Sequence, residues 1–221
     1  MKIDPQKTKL ATEFKHAAPL MPPRFVARQL SDPRGLGGWL IRLGMNRGNA
    51  RLNGFLLEQM NLARSDDVLE IGFGGGLNIR HFLTTAKSFV GVDRSADVVR
   101  AAERRFAREC GRASFVVGDV ENLPFEDGQF TKAATAHTVY FWTSLERGFH
   151  ELYRTLRPSG LLAVGFVPKE RMDTMGMPDD IFTSRDVAGL SAAAEDAGFA
   201  VELRSPQAPA PWLVMLCRKA A

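Results

Sequence analysis

The sequence predicts an α/β protein: a doubly wound, seven-stranded, mostly parallel sheet with a C-terminal antiparallel hairpin and an N-terminal helical cap. Three observations carry that prediction. From Val68 to Val167 short apolar runs alternate with segments of helical periodicity, the pattern of parallel strands joined by crossover helices. The first run, Val68-Leu69-Glu70-Ile71, breaks into Gly72-Phe73-Gly74-Gly75-Gly76, a turn whose glycines admit close approach of a ligand to the backbone. The last, Leu161 to Val167, is continuously apolar, as a strand covered on both faces must be.

The elements follow in order. Pro19, Pro22 and Pro23 interrupt any long helix in the lead-in, and Asp32-Pro33-Arg34-Gly35 is a turn signal. From Gly38 to Met60 the apolar positions Trp39, Leu40, Leu43, Leu52, Phe55, Leu56 and Met60 recur at helical spacing. Asn46, Asn49 and Asn53 fall between them and either line a pocket or face water. Residues 1–64 are therefore assigned to a helical cap and 65–221 to the sheet domain. Within the latter, strand Val68–Ile71 leads through the glycine turn to a helix from Leu77 to Leu83. Strand Ser88–Val92 ends in Asp93, and Ala96 to Glu109 is an amphipathic helix with Val98, Val99, Ala102 and Phe106 as its buried stripe. Strand Ala113–Val117 exits through Gly118-Asp119, and the turn-rich Leu123 to Phe130 leads to strand Thr131–Ala136. A helix from about Ser144 to Leu156 is closed by Arg157-Pro158-Ser159-Gly160 before the strand Leu161–Val167. Pro168 to Ile181, with Met172, Met175 and Met177, reads either as a flexible cover over an apolar substrate or as a surface excursion. Thr183-Ser184-Arg185-Asp186 opens a last helix that Gly198 ends. Ala200–Arg204 and Trp212–Cys217 form the hairpin around Ser205 to Pro211.

Composition bounds the function. The 221 residues, 45% hydrophobic and 24% charged, suffice for one domain with a full core and room for an appendage. Cys110 and Cys217 are the only cysteines, too few for a disulfide scaffold. No signal-like start or membrane-length apolar run is visible, so a cytoplasmic setting is expected. The net charge of +4 is concentrated early, with ten Lys and Arg against four Asp and Glu in residues 1–61. Such a segment suits an anionic substrate, a membrane surface or an ordinary solvated face. No dense basic run with interleaved aromatics suggests a nucleic-acid track.

The glycine turn is not a triphosphate-binding loop, because no Gly-Lys-Ser/Thr follows it. Asp93 lies 21 positions after Gly72 at a strand end, where an acidic residue takes ribose hydroxyls. Any cofactor with an adenosyl ribose satisfies that spacing. Four blocks then occur in register: Glu70 to Gly76; Val90-Gly91-Val92-Asp93-Arg94-Ser95; Gly118-Asp119-Val120 with Leu123-Pro124-Phe125; and Glu151 to Gly160. Together they resemble the class I methyltransferases that use S-adenosylmethionine, in the small-molecule branch that includes the ubiquinone and menaquinone C-methyltransferases. The resemblance covers roughly residues 65–165. It implies a Rossmann-like catalytic domain over 65–221, within which 168–181 is the segment whose methionines suggest a substrate-covering insertion.

Carried onto this chain, the resemblance implies that Gly72, Gly74 and Gly76 pass under the methionine and ribose portions of S-adenosylmethionine, with Glu70 near its amino end. Asp93 takes both ribose hydroxyls, Arg94 or Ser95 flanks the adenine, and Asp119 with the Val120 backbone holds the adenine edge. Ala136 and His137 line the methyl-transfer side. A sulfonium methyl is already activated, so alignment supplies much of the rate. Where the acceptor is a hydroxyl or an acidic carbon a base helps, and His137 is the best-placed candidate. His150 falls within a helix, and His16 and His81 have no partner signature. Tyr140, the second catalytic candidate, belongs to the aromatic cluster Tyr140-Phe141-Trp142, which stacks on a planar acceptor, closes the pocket or packs the following helix. Trp39 and the Asn46 region are candidates for the opposite wall.

Several classes are disfavoured. The Asn/Asp-Pro-Pro-aromatic block of amino-directed base methyltransferases is replaced by Ala136-His137-Thr138-Val139-Tyr140, and no cysteine stands where the cytosine carbon-5 type needs one. No carboxylate cluster for a metal is evident near the acceptor side. An NAD(P)-dependent oxidoreductase lacks the expected Tyr-x-x-x-Lys constellation. That class and a non-catalytic binding protein stay as alternatives. The expected partner is a small molecule, aromatic, apolar or anionic, and oligomeric state is left open.

Overall fold

The computed structural model describes residues 49–221. Trp39, Asn46, His16 and the rest of the cap assigned before residue 49 lie outside the described residues. The first described element, α1, is the helix of residues 49–60. Its apolar positions Leu52, Leu56 and Met60 are buried, spaced four apart so that they share one face. Leu52 lies against Gly165, and the Phe55 ring sits 5.6 Å from that of Trp212.

Seven strands follow: β1 Asp67–Ile71, β2 Ser88–Asp93, β3 Ala113–Val117, β4 Phe130–Ala136, β5 Leu156–Phe166, β6 Ala200–Arg204 and β7 Leu213–Arg218. They form one sheet in the order β3-β2-β1-β4-β5-β7-β6. Pairing is parallel from β3 to β5, and β7 runs antiparallel to both β5 and β6. The expected architecture is therefore present, hairpin included. All five residues of β1 are buried, as a central strand covered on both faces requires.

Order reverses at β1, which has β2 on one side and β4 on the other. That arrangement opens a crevice beyond the carboxyl ends of these strands. Helices α2 (Ile79–Thr85), α3 (Ala96–Arg105), α4 (Leu145–Thr155), α5 (Lys169–Thr174) and α6 (Val187–Asp196) complete the described elements, with short 3-10 turns at Ala107–Glu109 and Val139–Phe141. Phe82 stacks on Phe89 at 5.3 Å, and Phe73, Phe89 and Phe106 all pack against Phe115 within 6.0 Å. This cluster is the floor beneath the glycine turn.

Boundaries differ from the sequence reading where tertiary contacts intervene. α2 starts at Ile79 rather than Leu77, because the Asn78 side chain turns inward to Glu70 and Asn53 while Leu77 stays exposed. The helix expected to reach Glu109 ends at Arg105, where Phe106 leaves helical geometry and buries its ring against Phe115. Arg157–Gly160 does not end a helix before a fresh strand; it is an irregularity inside β5. Leu156 pairs with Phe130, Leu161 with Lys132, and the residues between are taken up by Ser159 donating to the Ala220 carbonyl and Lys219 to that of Gly160. The rest of the match is close: α4, α6, β6 and β7 lie within a few residues of expectation.

Candidate cofactor and acceptor site

The crevice is a cavity walled by the ends of β1, β2 and β4, by the glycine turn and by α1. Its backbone geometry begins at Gly72, whose φ of +67° is a conformation only glycine adopts readily. A β-carbon there would also collide with the Thr138 methyl. Gly74, at φ +48°, has only the Gly72 carbonyl within 4 Å of such a carbon, so its outer side is open to the cavity. Gly76 is different. It is not part of the cavity wall, and its missing side chain makes room for Ile79.

At the end of β2, Asp93 is held by backbone donors. The Gly74 N–H donates to Oδ2 and the Ser95 N–H to Oδ1, each at 3.0 Å. The carboxylate is thus locked to the glycine turn at the cavity edge. Ser95 itself sits behind the wall, at the start of α3. Asp119 shapes its own turn by accepting from the Glu121 N–H at 3.1 Å, and Val120 beside it is buried against the cavity. Arg94 spans this end. Its Nε lies 3.6 Å from Asp119 Oδ2 and its Nη1 donates to the Phe141 carbonyl at 3.3 Å.

Glu70 is buried at the inner end. Asn78 Nδ2 donates to its Oε1 at 2.7 Å, while Glu70 Oε2 and Asn78 Oδ1 are buried with no partner among the described residues. Burial raises the Glu70 carboxyl to about 7 against the lowering effect of the Asn78 bond, and nearby Asp93 adds to the rise. Unmatched buried acceptors are costly until a donor reaches them.

On the β4 side, Ala136 and His137 line the cavity. His137 adopts φ +58°, its N–H donates to the Gly165 carbonyl at 2.8 Å, and burial lowers its imidazole to about 4. The ring is therefore neutral at physiological pH. Tyr140 is placed behind the wall rather than in it. Its hydroxyl accepts from the Val167 N–H at 2.5 Å and lies 3.5 Å from His137 Nδ1, and burial pushes its ionisation upward. Phe141 and Trp142 reach the cavity, and Trp142 Nε1 donates to the Thr138 hydroxyl at 3.2 Å.

Pro168 to Ile181 contributes no residue to the cavity wall, and the contacts to the aromatic cluster come from the residues just after it. Phe182 packs with its ring tilted 4.9 Å from that of Phe141, Thr183 donates its N–H to the Tyr140 carbonyl, and Arg185 donates to the carbonyls of Val139 and Trp142. Of the asparagines expected either to line a pocket or to face water, Asn49 and Asn53 line the cavity, whereas the parts played by Asn78, Thr138 and Arg185 leave no signal in the sequence. Among the described residues there is no cluster of metal ligands and no helix long and apolar enough to cross a membrane.

A cleft at the switch point of a β3-β2-β1-β4-β5-β7-β6 sheet, with a glycine turn bonded to a strand-end aspartate, lies where open α/β sheets bind their ligands. Residues 69–164 match the family model described as a methyltransferase domain. The chain is 31% identical over 126 residues to the erythromycin 3''-O-methyltransferase of Saccharopolyspora erythraea, covering 55% of this chain and 41% of that protein. It is 27% identical over 130 residues to the ubiquinone/menaquinone biosynthesis C-methyltransferase UbiE of Citrifermentans bemidjiense, covering 57% and 54%. The matched stretch thus spans about half the length of these relatives. In fold, the chain superposes at a TM-score of 0.72 and 21% identity on a chain from the Haloferax volcanii complex between the Trm112 methyltransferase activator and a methyltransferase, covering 81% of this chain and 94% of that one. Residues 69–164 therefore match a methyltransferase domain, and the chain is similar to O- and C-methylating relatives alike, with neither family favoured over the other.

Proposed function

We propose that the whole protein transfers the methyl group of S-adenosylmethionine to a small acceptor that enters beside His137. The observation that carries this reading is the bonded pair of the glycine turn and Asp93, because it fixes a carboxylate where an adenosyl ribose presents two hydroxyls. When bound, the cofactor supplies a sulfonium methyl that is already activated toward nucleophiles. Glu70 and Asn78 receive the amino end, Gly72 and Gly74 let the backbone approach, and Asp93 accepts from the ribose. Arg94, Val120 and Asp119 enclose the adenine, with Ser95 and Gly76 shaping the wall from behind.

On the other side, Ala136 leaves room for the acceptor and the neutral His137 ring accepts a proton where the acceptor must lose one. Tyr140 acts through His137 as a positioning residue. Phe141 and Trp142 offer an apolar, aromatic surface, which supports a planar or apolar acceptor such as a quinol or phenol. We assign 168–181 as a cover, held to the aromatic cluster through Phe182 and Arg185.

The test is a homocysteine-release screen of phenols, quinols, fatty acids and small amines, with S-adenosylmethionine as donor. Turnover with one acceptor class, together with saturable S-adenosylhomocysteine binding, is the expected result. Saturable binding of NAD alone contradicts it.

A further inference from the structure

The least conventional part of the cavity is a chain of side-chain amides that runs from α1 to Glu70. Asn53 Nδ2 donates to the Asn49 carbonyl at 3.0 Å. Asn78 Nδ2 donates to Asn53 Oδ1 and to Glu70 Oε1, both at 2.7 Å. An amide nitrogen has two hydrogens, so both of Asn78's are committed. With Glu70 ionised, what these two cavity-lining residues have left is acceptor only: Glu70 Oε2 and Asn78 Oδ1, each buried with no partner among the described residues. Two acceptors side by side in one chain match a group that carries several N–H donors and no acceptor, which is an ammonium.

We propose that Asn53 and Asn78 hold Glu70 as a proton-exchanging receiver for the cofactor's ammonium group: wherever Glu70 carries a proton in the cofactor-free protein, docking of the ammonium against Glu70 and Asn78 Oδ1 drives that proton into solvent. The inference rests on the S-adenosylmethionine reading of the cavity. The exchange balances as a neutral carboxyl plus an ammonium giving a carboxylate–ammonium pair plus one H⁺, with only the O–H bond broken.

The groups around Glu70 agree with it. Burial and the like charge of Asp93 on β2 oppose ionisation, the Asn78 bond favours it, and the balance leaves the carboxyl at about 7. α1 presents Asn53, the turn before α2 presents Asn78, and the end of β4 presents His137, whose imidazole stays neutral well above pH 4. Arg51 and Arg80, the basic residues flanking Asn53 and Asn78, are exposed. An arriving ammonium is thus the cation that shifts the balance toward the carboxylate.

Calorimetric titration of S-adenosylhomocysteine in buffers of different ionisation enthalpy tests the proposal on the wild-type protein. Expected proton release is close to one per site at about pH 6, about half at pH 7 and near zero at about pH 8.5. The S-adenosylhomocysteine analogue lacking the α-amino group releases none. Glu70→Gln removes the release and weakens S-adenosylhomocysteine binding about 10- to 100-fold above pH 8. Asn78→Ala moves the release profile to higher pH, because the bond that favours the carboxylate is gone; a merely structural role for Asn78 leaves that profile in place. Tight binding of S-adenosylhomocysteine with no buffer dependence at about pH 6 overturns the proton exchange while the cofactor reading stands, and equal release by the deaminated analogue overturns it too. No saturable binding at any pH overturns the cavity reading itself and this inference with it.

Discussion

The β1–β2 side of the cleft and its β4 side are built differently. On the first, Glu70, Gly72 and Asp93 stand at or just beyond strand ends whose register is set by continuous parallel pairing from Asp67↔Ser88 to Ile71↔Val92. Backbone N–H groups of Gly74 and Ser95 clamp the Asp93 carboxylate. On the second, His137 sits in a left-handed backbone conformation and hands the chain to a 3-10 turn, Val139–Phe141. That turn is held from outside by Phe182, Thr183 and Arg185. A clamp made of sheet register tolerates little change and suits a ligand of fixed shape. A turn braced by a separate segment can be re-aimed by changing the brace, which suits an acceptor that differs among relatives.

Substitutions on the two sides should therefore separate binding from turnover. The largest expected effect is on the acceptor side, where His137→Asn keeps a residue that tolerates the left-handed backbone but removes the base. With a hydroxyl or acidic-carbon acceptor, kcat falls about 100-fold or more while S-adenosylhomocysteine affinity stays within about threefold. Wild-type kcat should be flat from about pH 6 to 8, because His137 titrates near 4. Equal losses in kcat and affinity erase the distinction between the two sides.

Next comes stability on the cofactor side. Glu70 titrates at about 7 folded against 4.5 unfolded, so the stability tied to its protonated form is complete below 4.5 and is lost as pH rises through 7. Glu70→Gln in the cofactor-free protein should raise the melting temperature at pH 8 by the equivalent of up to about 3 kcal/mol, the gain fading by about pH 4.5. His137 works in the opposite direction. Its folded value is depressed, so its contribution is present above about 6.5 and is lost as pH falls through 4.

A smaller effect is expected for Tyr140→Phe, which leaves the buried Val167 N–H without its acceptor and lowers stability by about 1 kcal/mol. It should shift the acid limb of the kcat profile if Tyr140 positions His137; a loss of melting temperature with an unmoved limb assigns Tyr140 to packing alone. The smallest concerns Arg94→Ala at the exposed adenine end, where S-adenosylhomocysteine affinity should drop about threefold or less.

The same division explains what was legible in the sequence. Strand runs, the glycine turn, Asp93 and Asp119 are local patterns in a fixed register, and the structure places Asp93 against Gly74 as that register requires. Asn78 was not legible, because its bonds to Glu70 and Asn53 join β1, α2 and α1 in space and leave no periodic trace. Tyr140 looked like a pocket residue from its neighbours, yet the path of β5 into Val167 draws its hydroxyl to a backbone donor instead. The bulge at Arg157–Gly160 was hidden for a related reason. Pro158, Ser159 and Gly160 signal a turn, and only pairing with Lys219 and Ala220 folds that turn into the strand.

The central claim is that Asp93, fixed by the glycine turn, grips the cofactor ribose, and calorimetric titration of Asp93→Ala with S-adenosylhomocysteine tests it most directly. Loss of two charge-assisted hydrogen bonds predicts affinity about 100-fold below wild type in a protein that still folds. Wild-type affinity in that variant contradicts the account.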